Sequence, residues 1–244
     1  MTNAATFRTY YDLAKPRMVY ANVLVAAAAF IYASNHTNQV GVTASHGTAD
    51  WALGAFALAG LALVIASACT FNNYMDRAMD AKMERTRCRA LPMGALPGSH
   101  ALWMGSVLLA AGLVLLAMTT TAALLVGLAG WVAYVVMYTP LKPRSPHALF
   151  VGAFAGAVPP VVGYAAVAGA LDLTALALFA FLFVWQLPHF IAISIYRGEE
   201  YAEANVPMYF IGPHTAGQKR LARAVFLGSL VVLLAWSVLL VALA

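Results

Sequence analysis

The sequence predicts an all-α fold, a polytopic bundle of membrane-spanning helices, and three observations predict it. Hydrophobic residues make up 63% of the 244 positions and charged residues only 9%, with a mean hydropathy of +0.79; soluble globular chains are far less apolar. The apolar residues gather into seven runs, each long enough for a bilayer that takes roughly 20 residues, or about 17 for a short span. The Lys and Arg residues lie between these runs, on alternate sides only. One intramembrane domain over residues 1–244 accounts for all seven, with no soluble domain, long linker or low-complexity tail in the sequence.

The first 17 residues carry Arg8, Lys15 and Arg17 ahead of an apolar run, as signal peptides do. That run, about Met18–Ser34, is too long for a short h-region and reads as the first span. Pro16 sits at its start, where a missing N–H costs nothing. The second span, about Trp51–Phe71, runs into the most charged loop of the protein. The third and fourth, Leu102–Met118 and Ala122–Tyr138, are joined by a tight connection at 119–121. Thr139-Pro140-Leu141-Lys142-Pro143-Arg144-Ser145-Pro146 follows, a proline-stiffened turn from which Lys142 and Arg144 project. The fifth span, Ala148–Gly169, contains Pro159-Pro160, and the sixth, Leu173–Ile195, contains Gln186, Pro188 and His189. The seventh is about Leu221–Leu243. Small residues such as Ala26–Ala29 suit close helix contacts in lipid.

The net charge of +5 suggests nucleic acid until its distribution is read. With a cytoplasmic N-terminus the inside segments are 1–17, 72–101, 139–147 and 196–220. They hold 13 of the 14 Lys and Arg, and Arg223 sits at the inner edge of the last span. The opposite loops, 35–50, 119–121 and 170–172, hold none. The charge therefore orients the chain in a bilayer, with no nucleic-acid partner, and leaves only Asp50 and Asp172 of the acids outside. Cys69 lies in a span and Cys88 in the basic loop, so neither a disulfide framework nor a metal spacing is available. His36, His46, His100, His147 and His214 show no paired metal spacing either.

Asn72, Asp76 and Asp80 are spaced i, i+4, i+8 and fall along one helix face, drifting by about 40° per step. Stacked oxygen ligands at a membrane surface suit Mg²⁺, which takes one or two carboxylates plus substrate phosphates. Arg77, Lys82, Arg85, Arg87 and Arg89 follow and can bind a diphosphate beside it. The alternative is a solvated helix end whose acids pair with their own arginines. Glu84 continues the spacing but has turned by about 120° from Asn72 and is not counted as a ligand. A second acidic cluster, Glu199, Glu200 and Glu203 after Arg197, closes the sixth span on the same side, as two metal ions bridging a diphosphate would require. Within the membrane, Gln186 reads as interhelical glue. His189 reads either as a site residue or as a partner of a backbone carbonyl freed by Pro188.

These stretches resemble the UbiA-type intramembrane prenyltransferases, most of all their protohaem IX farnesyltransferase branch. The resemblance rests on Asn72-x-x-x-Asp76-x-x-x-Asp80 with Met83-Glu84-Arg85-Thr86 and Arg89. It also rests on Leu13-Ala14-Lys15-Pro16-Arg17, Gly156-Ala157-Val158-Pro159-Pro160, Trp185-Gln186-Leu187-Pro188-His189-Phe190 and an Ala-x-x-Pro-Met ending at Met208. It implies Mg²⁺-dependent transfer of a farnesyl group from farnesyl diphosphate to a vinyl group of haem b. Water adds to the resulting cation, giving haem O and diphosphate. It further implies Asn72, Asp76, Asp80 and Glu200 as metal ligands, with Asp76, Asp80 and Arg89 catalytic. Arg85, Arg89, Lys142 and Arg197 would be diphosphate contacts and His189 a haem contact. Which of Glu199, Glu200 and Glu203 meets the metal stays open. Ala204, where other superfamily members carry a second aspartate, argues against the alternative of a quinone or aromatic acceptor.

The family has nine helices, so this chain reads as lacking the last two. A second copy or a partner would then cover the gap, or the chain is an inactive truncated homologue that binds haem for oxidase assembly. The one-sided charge and the lack of a transit peptide fit a multi-pass protein of a bacterial cytoplasmic (inner) membrane, its site facing the cytoplasm.

Overall fold

A computed structural model describes residues 7–36, 51–210 and 212–244; Asp50 and His46 lie outside the described residues. The described residues are helix, turn or coil, with no strand among them. A short α1 (Phe7–Leu13) leads into α2 (Pro16–His36); then come α3 (Trp51–Met75) and a single turn α4 (Arg77–Asp80). After a loop follow α5 (Gly98–Ala117), α6 (Thr121–Val132) with its π-helical extension Ala133–Tyr138, and α7 (Thr139–Leu141). The chain continues through α8 (Ala148–Ala168), α9 (Leu173–Tyr196), α10 (Gly198–Glu203) and α11 (Ala216–Ala242). Seven of these stretches are long and apolar enough to span a bilayer.

Local chemistry sets the ends. Thr120 and Asp172 cap α6 and α9, their side-chain oxygens accepting from Ala123 N (3.1 Å) and Ala175 N (3.0 Å). Gly169, at φ 68°, terminates α8 in the left-handed region that glycine enters without strain. Thr215 and Gln218 form a capping box, so α11 starts five residues before the apolar run that the hydropathy pattern marks. α8 and α9 continue through Pro159-Pro160 and Pro188. At α9 the side chain of Gln186 donates to Leu182 O (3.1 Å) and across to Ala153 O of α8 (3.3 Å), as expected of a polar residue that joins helices.

Packing relies on small residues. A Cβ on Gly112 would lie 2.8 Å from Gly60 O, so α3 and α5 meet backbone to backbone only because both positions are glycine. Gly163 of α8 sits still more tightly against the Ala26 carbonyl of α2. α3, α5, α6, α8, α9 and α11 contact one another in chain order, and α11 returns to α2, which touches α3. The seven spans thus form a closed circuit, pinched where α2 also meets α8.

Candidate active site

The site begins where α3 stops. Asp76 N bonds Asn72 O (2.8 Å) and Asp80 N bonds Asp76 O (2.7 Å), so helical spacing continues past the break at Asp76 and keeps the three side chains on one face. All three are buried, Asn72 at 3%, Asp76 at 6% and Asp80 at 4% exposure. That rules out the solvated helix end. Nor do the acids pair one helical turn away along their own helix: Arg77, one position after Asp76, turns back to Tyr74 O (2.6 Å) and stacks on the Tyr74 ring.

Asp76 is matched by a cation 66 positions away and Asp80 by one from the loop that follows it. Lys142 Nζ reaches Asp76 Oδ2 at 3.0 Å, and Arg89 Nη1 reaches Asp80 Oδ2 at 2.8 Å. Burial alone would depress the Lys142 pKa, but Tyr138, Asp76 and Tyr201 outweigh it and hold the ammonium above its ordinary value. Arg144 of the same proline turn is exposed. Two carboxamides then tie the acids to the frame. Asn72 Nδ2 donates to Asp76 Oδ2 (3.0 Å) and Thr139 Oγ1 (3.2 Å), while Asn73 donates to Leu13 O (2.7 Å) and accepts from Arg89 (3.3 Å). Thr139 in turn donates to Tyr134 O (2.8 Å), within the π-helical stretch. Such a local widening of a helix frequently marks a functional site.

The second acidic cluster separates residue by residue. Glu200 accepts from Arg197 (2.9 Å) and from Arg85 of the first loop (3.3 Å). Glu199 instead pairs with Lys219 at the base of α11 (2.6 Å), and Glu203 is exposed. Glu200 is therefore the glutamate directed at the first motif. The apolar reason is a small cluster in which Met83 packs against Ala204 and Val206, with Met79, Tyr201 and Met208 around it. Glu84 is exposed, as its angular drift suggests.

Lys15 was not among the expected site residues, yet it belongs here. Its Nζ donates to Asn72 Oδ1 at 2.5 Å, and its backbone is held at φ 51°, between α1 and Pro16. A non-glycine residue in that region costs about 1–3 kcal/mol and persists where surroundings enforce it. Burial holds the Lys15 ammonium below its usual pKa. A lysine immediately before a helix-starting proline was the available sequence signal; nothing in sequence spacing links it to Asn72, 57 positions away.

One cavity opens on the site and a second lies between the spans. The polar one, about 660 Å³, is lined by Asp12, Lys15, Asn73, Asp80, Arg85 and Arg89 among others. The other, about 380 Å³, lies between the spans and is lined largely by apolar groups including Met18, Val25, Cys69, Trp131, Tyr134, Trp185 and His189. His189 does not serve a carbonyl freed by Pro188: its Nδ1 lies 2.7 Å from Ser229 Oγ of α11. Among the described residues no three His, Cys, Asp or Glu side chains converge as a metal group. The oxygen donors of Asn72, Asp76 and Asp80 still fit a hard cation that completes its shell with phosphate oxygens.

Residues 40–244 match the UbiA prenyltransferase family. The chain is 41% identical to a protohaem IX farnesyltransferase of Bacillus velezensis over 207 residues, 84% of this chain and 64% of that one. It is 39% identical to the protohaem IX farnesyltransferase of a Marinomonas species over 216 residues, 88% of this chain and 69% of the relative. It thus spans 64% of the Bacillus relative's length. Among solved structures it resembles a digeranylgeranylglyceryl phosphate synthase, with a TM-score of 0.67 and 16% identity over 96% of this chain and 84% of that one. A UbiA homologue from Archaeoglobus fulgidus, bound to GPP and Mg²⁺, matches with a TM-score of 0.63 and 18% identity over 96% and 83%. These last likenesses are of fold.

Proposed function

The chain belongs to the UbiA prenyltransferase family, and from that premise we propose that it transfers a farnesyl group from farnesyl diphosphate to a vinyl group of protohaem IX. Water adds to the resulting cation, so the products are haem O and diphosphate. The observation that carries this reading is a buried, charge-matched acid–base cluster in a bundle that also holds an apolar cavity between its spans, with Tyr134 lining that cavity and bonding Thr139 beside Asn72. The names of the relatives support the choice of haem as acceptor and farnesyl as donor.

Arg89, Lys142, Arg85 and Arg197 are the groups that would clamp the diphosphate. Their cationic N–H donors stabilise charge developing on the departing oxygens. At rest they are held by the protein's own acids. A bound diphosphate would replace those acids as partner and leave Asp76 and Asp80 available to hold a metal ion with the Asn72 oxygen. Mg²⁺ held by Asn72, Asp76, Asp80 and Glu200 would supply charge neutralisation at the leaving group. The A. fulgidus homologue, bound to GPP and Mg²⁺, supports that choice of ion. The apolar cavity keeps bulk water from the allylic cation, and His189 in its wall is the residue assigned to haem. In this reading the basic end of the bundle faces the cytoplasm of a bacterial cell.

The test is direct. Purified protein in lipid nanodiscs, given haem b, farnesyl diphosphate and Mg²⁺, is expected to yield a haem heavier by one farnesyl group and one water, and EDTA is expected to abolish it. Prenylation of a quinone precursor with haem b left unchanged would overturn the haem assignment.

A further inference from the structure

The side chain of His189 is held by more than its own helix. Its ring stacks on Trp185 (centroids 5.1 Å, 25°) and tilts against Phe226 of α11 (4.7 Å, 35°), so two aromatic faces fix its plane. Trp185 Nε1 donates to Ser229 O (2.8 Å), which fixes that wall to α11. The decisive atom is Ser229 Oγ. It stands 2.6 Å from Phe226 O and 2.7 Å from His189 Nδ1. A serine hydroxyl has one proton, and two oxygens at 2.6 Å need a proton between them. The hydroxyl therefore donates to Phe226 O, and toward the imidazole it can only accept. His189 Nδ1 must then carry the hydrogen, which leaves Nε2 with a bare lone pair. No described residue bonds that nitrogen, and His189 lines the cavity between the spans.

We propose that Ser229 is a positioning residue that sets the tautomer of His189, so that Nε2 is presented to the iron of the haem substrate. The arrangement is the one a ligating imidazole needs, its second nitrogen donating to a fixed acceptor that orients the ring and raises its basicity. It gives α11 a role in acceptor binding that its lipid-exposed apolar sequence does not announce. The inference rests on the assignment of His189 to haem made above, and it adds the residue that makes that assignment work.

The experiment titrates haem b, ferric and ferrous, into the 244-residue protein in detergent and records the Soret band and the affinity. Parent protein, His189→Ala, Ser229→Ala and Ser229→Thr are compared. Helical folding is monitored by far-UV circular dichroism. Ser229→Ala is expected to weaken haem binding roughly 10–100-fold, the usual cost of losing such a supporting partner, and to shift the Soret band. Ser229→Thr, which keeps a hydroxyl acceptor, is expected to restore both. A purely packing role for Ser229 would not produce a spectral change that threonine reverses. If His189→Ala loses the parent spectrum while Ser229→Ala keeps it, Ser229 is not the positioning residue and the haem assignment stands. If His189→Ala also keeps the parent spectrum, or the parent binds no haem, the assignment and the proposal both fall.

Discussion

Asp76 and Lys142 lie 66 positions apart and meet at 3.0 Å inside the protein. Removing one member of a buried pair leaves an uncompensated charge that costs about 3–5 kcal/mol, whereas removing both together is much milder. Lys142→Met is therefore expected to lower the unfolding midpoint in denaturant titrations far more than the Asp76→Asn/Lys142→Met double variant. Neither should retain prenyl transfer. Arg89 carries a different consequence, because its partner Asp80 keeps a position on the helix end without it. Arg89→Ala is expected to lower kcat by roughly 10²–10³, the scale of losing one preorganised charge contact in a transition state. An Arg89→Ala variant with unchanged kcat would contradict its place at the diphosphate. At this scale the sequence was informative where the chemistry is local. The four-residue spacing of Asn72, Asp76 and Asp80 is visible in the chain itself. The contacts of Lys15 and Lys142 with them are set by tertiary packing, which is why Lys15 was not assigned to the site and Lys142 was seen only as a diphosphate contact.

The elements were legible mainly through hydropathy, since seven apolar runs reappear as seven spans. What hydropathy missed has specific causes. The start of α11 depends on a polar capping box ahead of the apolar run. The π-helical stretch Ala133–Tyr138 has no pattern that distinguishes it from ordinary helix, yet it supplies the Tyr134 carbonyl that anchors Thr139 beside Asn72. The His189–Ser229 contact joins α9 to α11 across 40 positions and lay beyond any periodicity. Small residues have clear consequences at this level too. Gly163 abuts the Ala26 carbonyl, so a side chain there must push α2 and α8 apart. Gly163→Val is expected to destabilise by about 1–3 kcal/mol, the usual penalty of overpacking, read as a lower melting temperature in detergent. An unchanged melting temperature would mean that the α2–α8 contact is looser than described.

Across the whole molecule, the seven spans close on themselves through the contact of α11 with α2. One end of this circuit collects the basic loops and the acid–base cluster, and the two free cysteines report on it without engineering. Cys88 is exposed in the basic loop and Cys69 is buried between spans. A membrane-impermeant maleimide is expected to label Cys88 in inverted bacterial membrane vesicles and to spare it in right-side-out spheroplasts, with Cys69 unlabelled in both. The reverse pattern at Cys88 would invert the topology and move the site to the outer face. Haem farnesylation by these 244 residues can be read in a haem extract. Membranes of a haem-O-deficient bacterial host expressing the chain, or its Asp76→Asn variant at equal level, would be analysed by chromatography and mass spectrometry. Haem O with the parent chain and haem b alone with the variant is the result expected here. Haem b alone in both, with the parent shown to be inserted in the membrane, would contradict it.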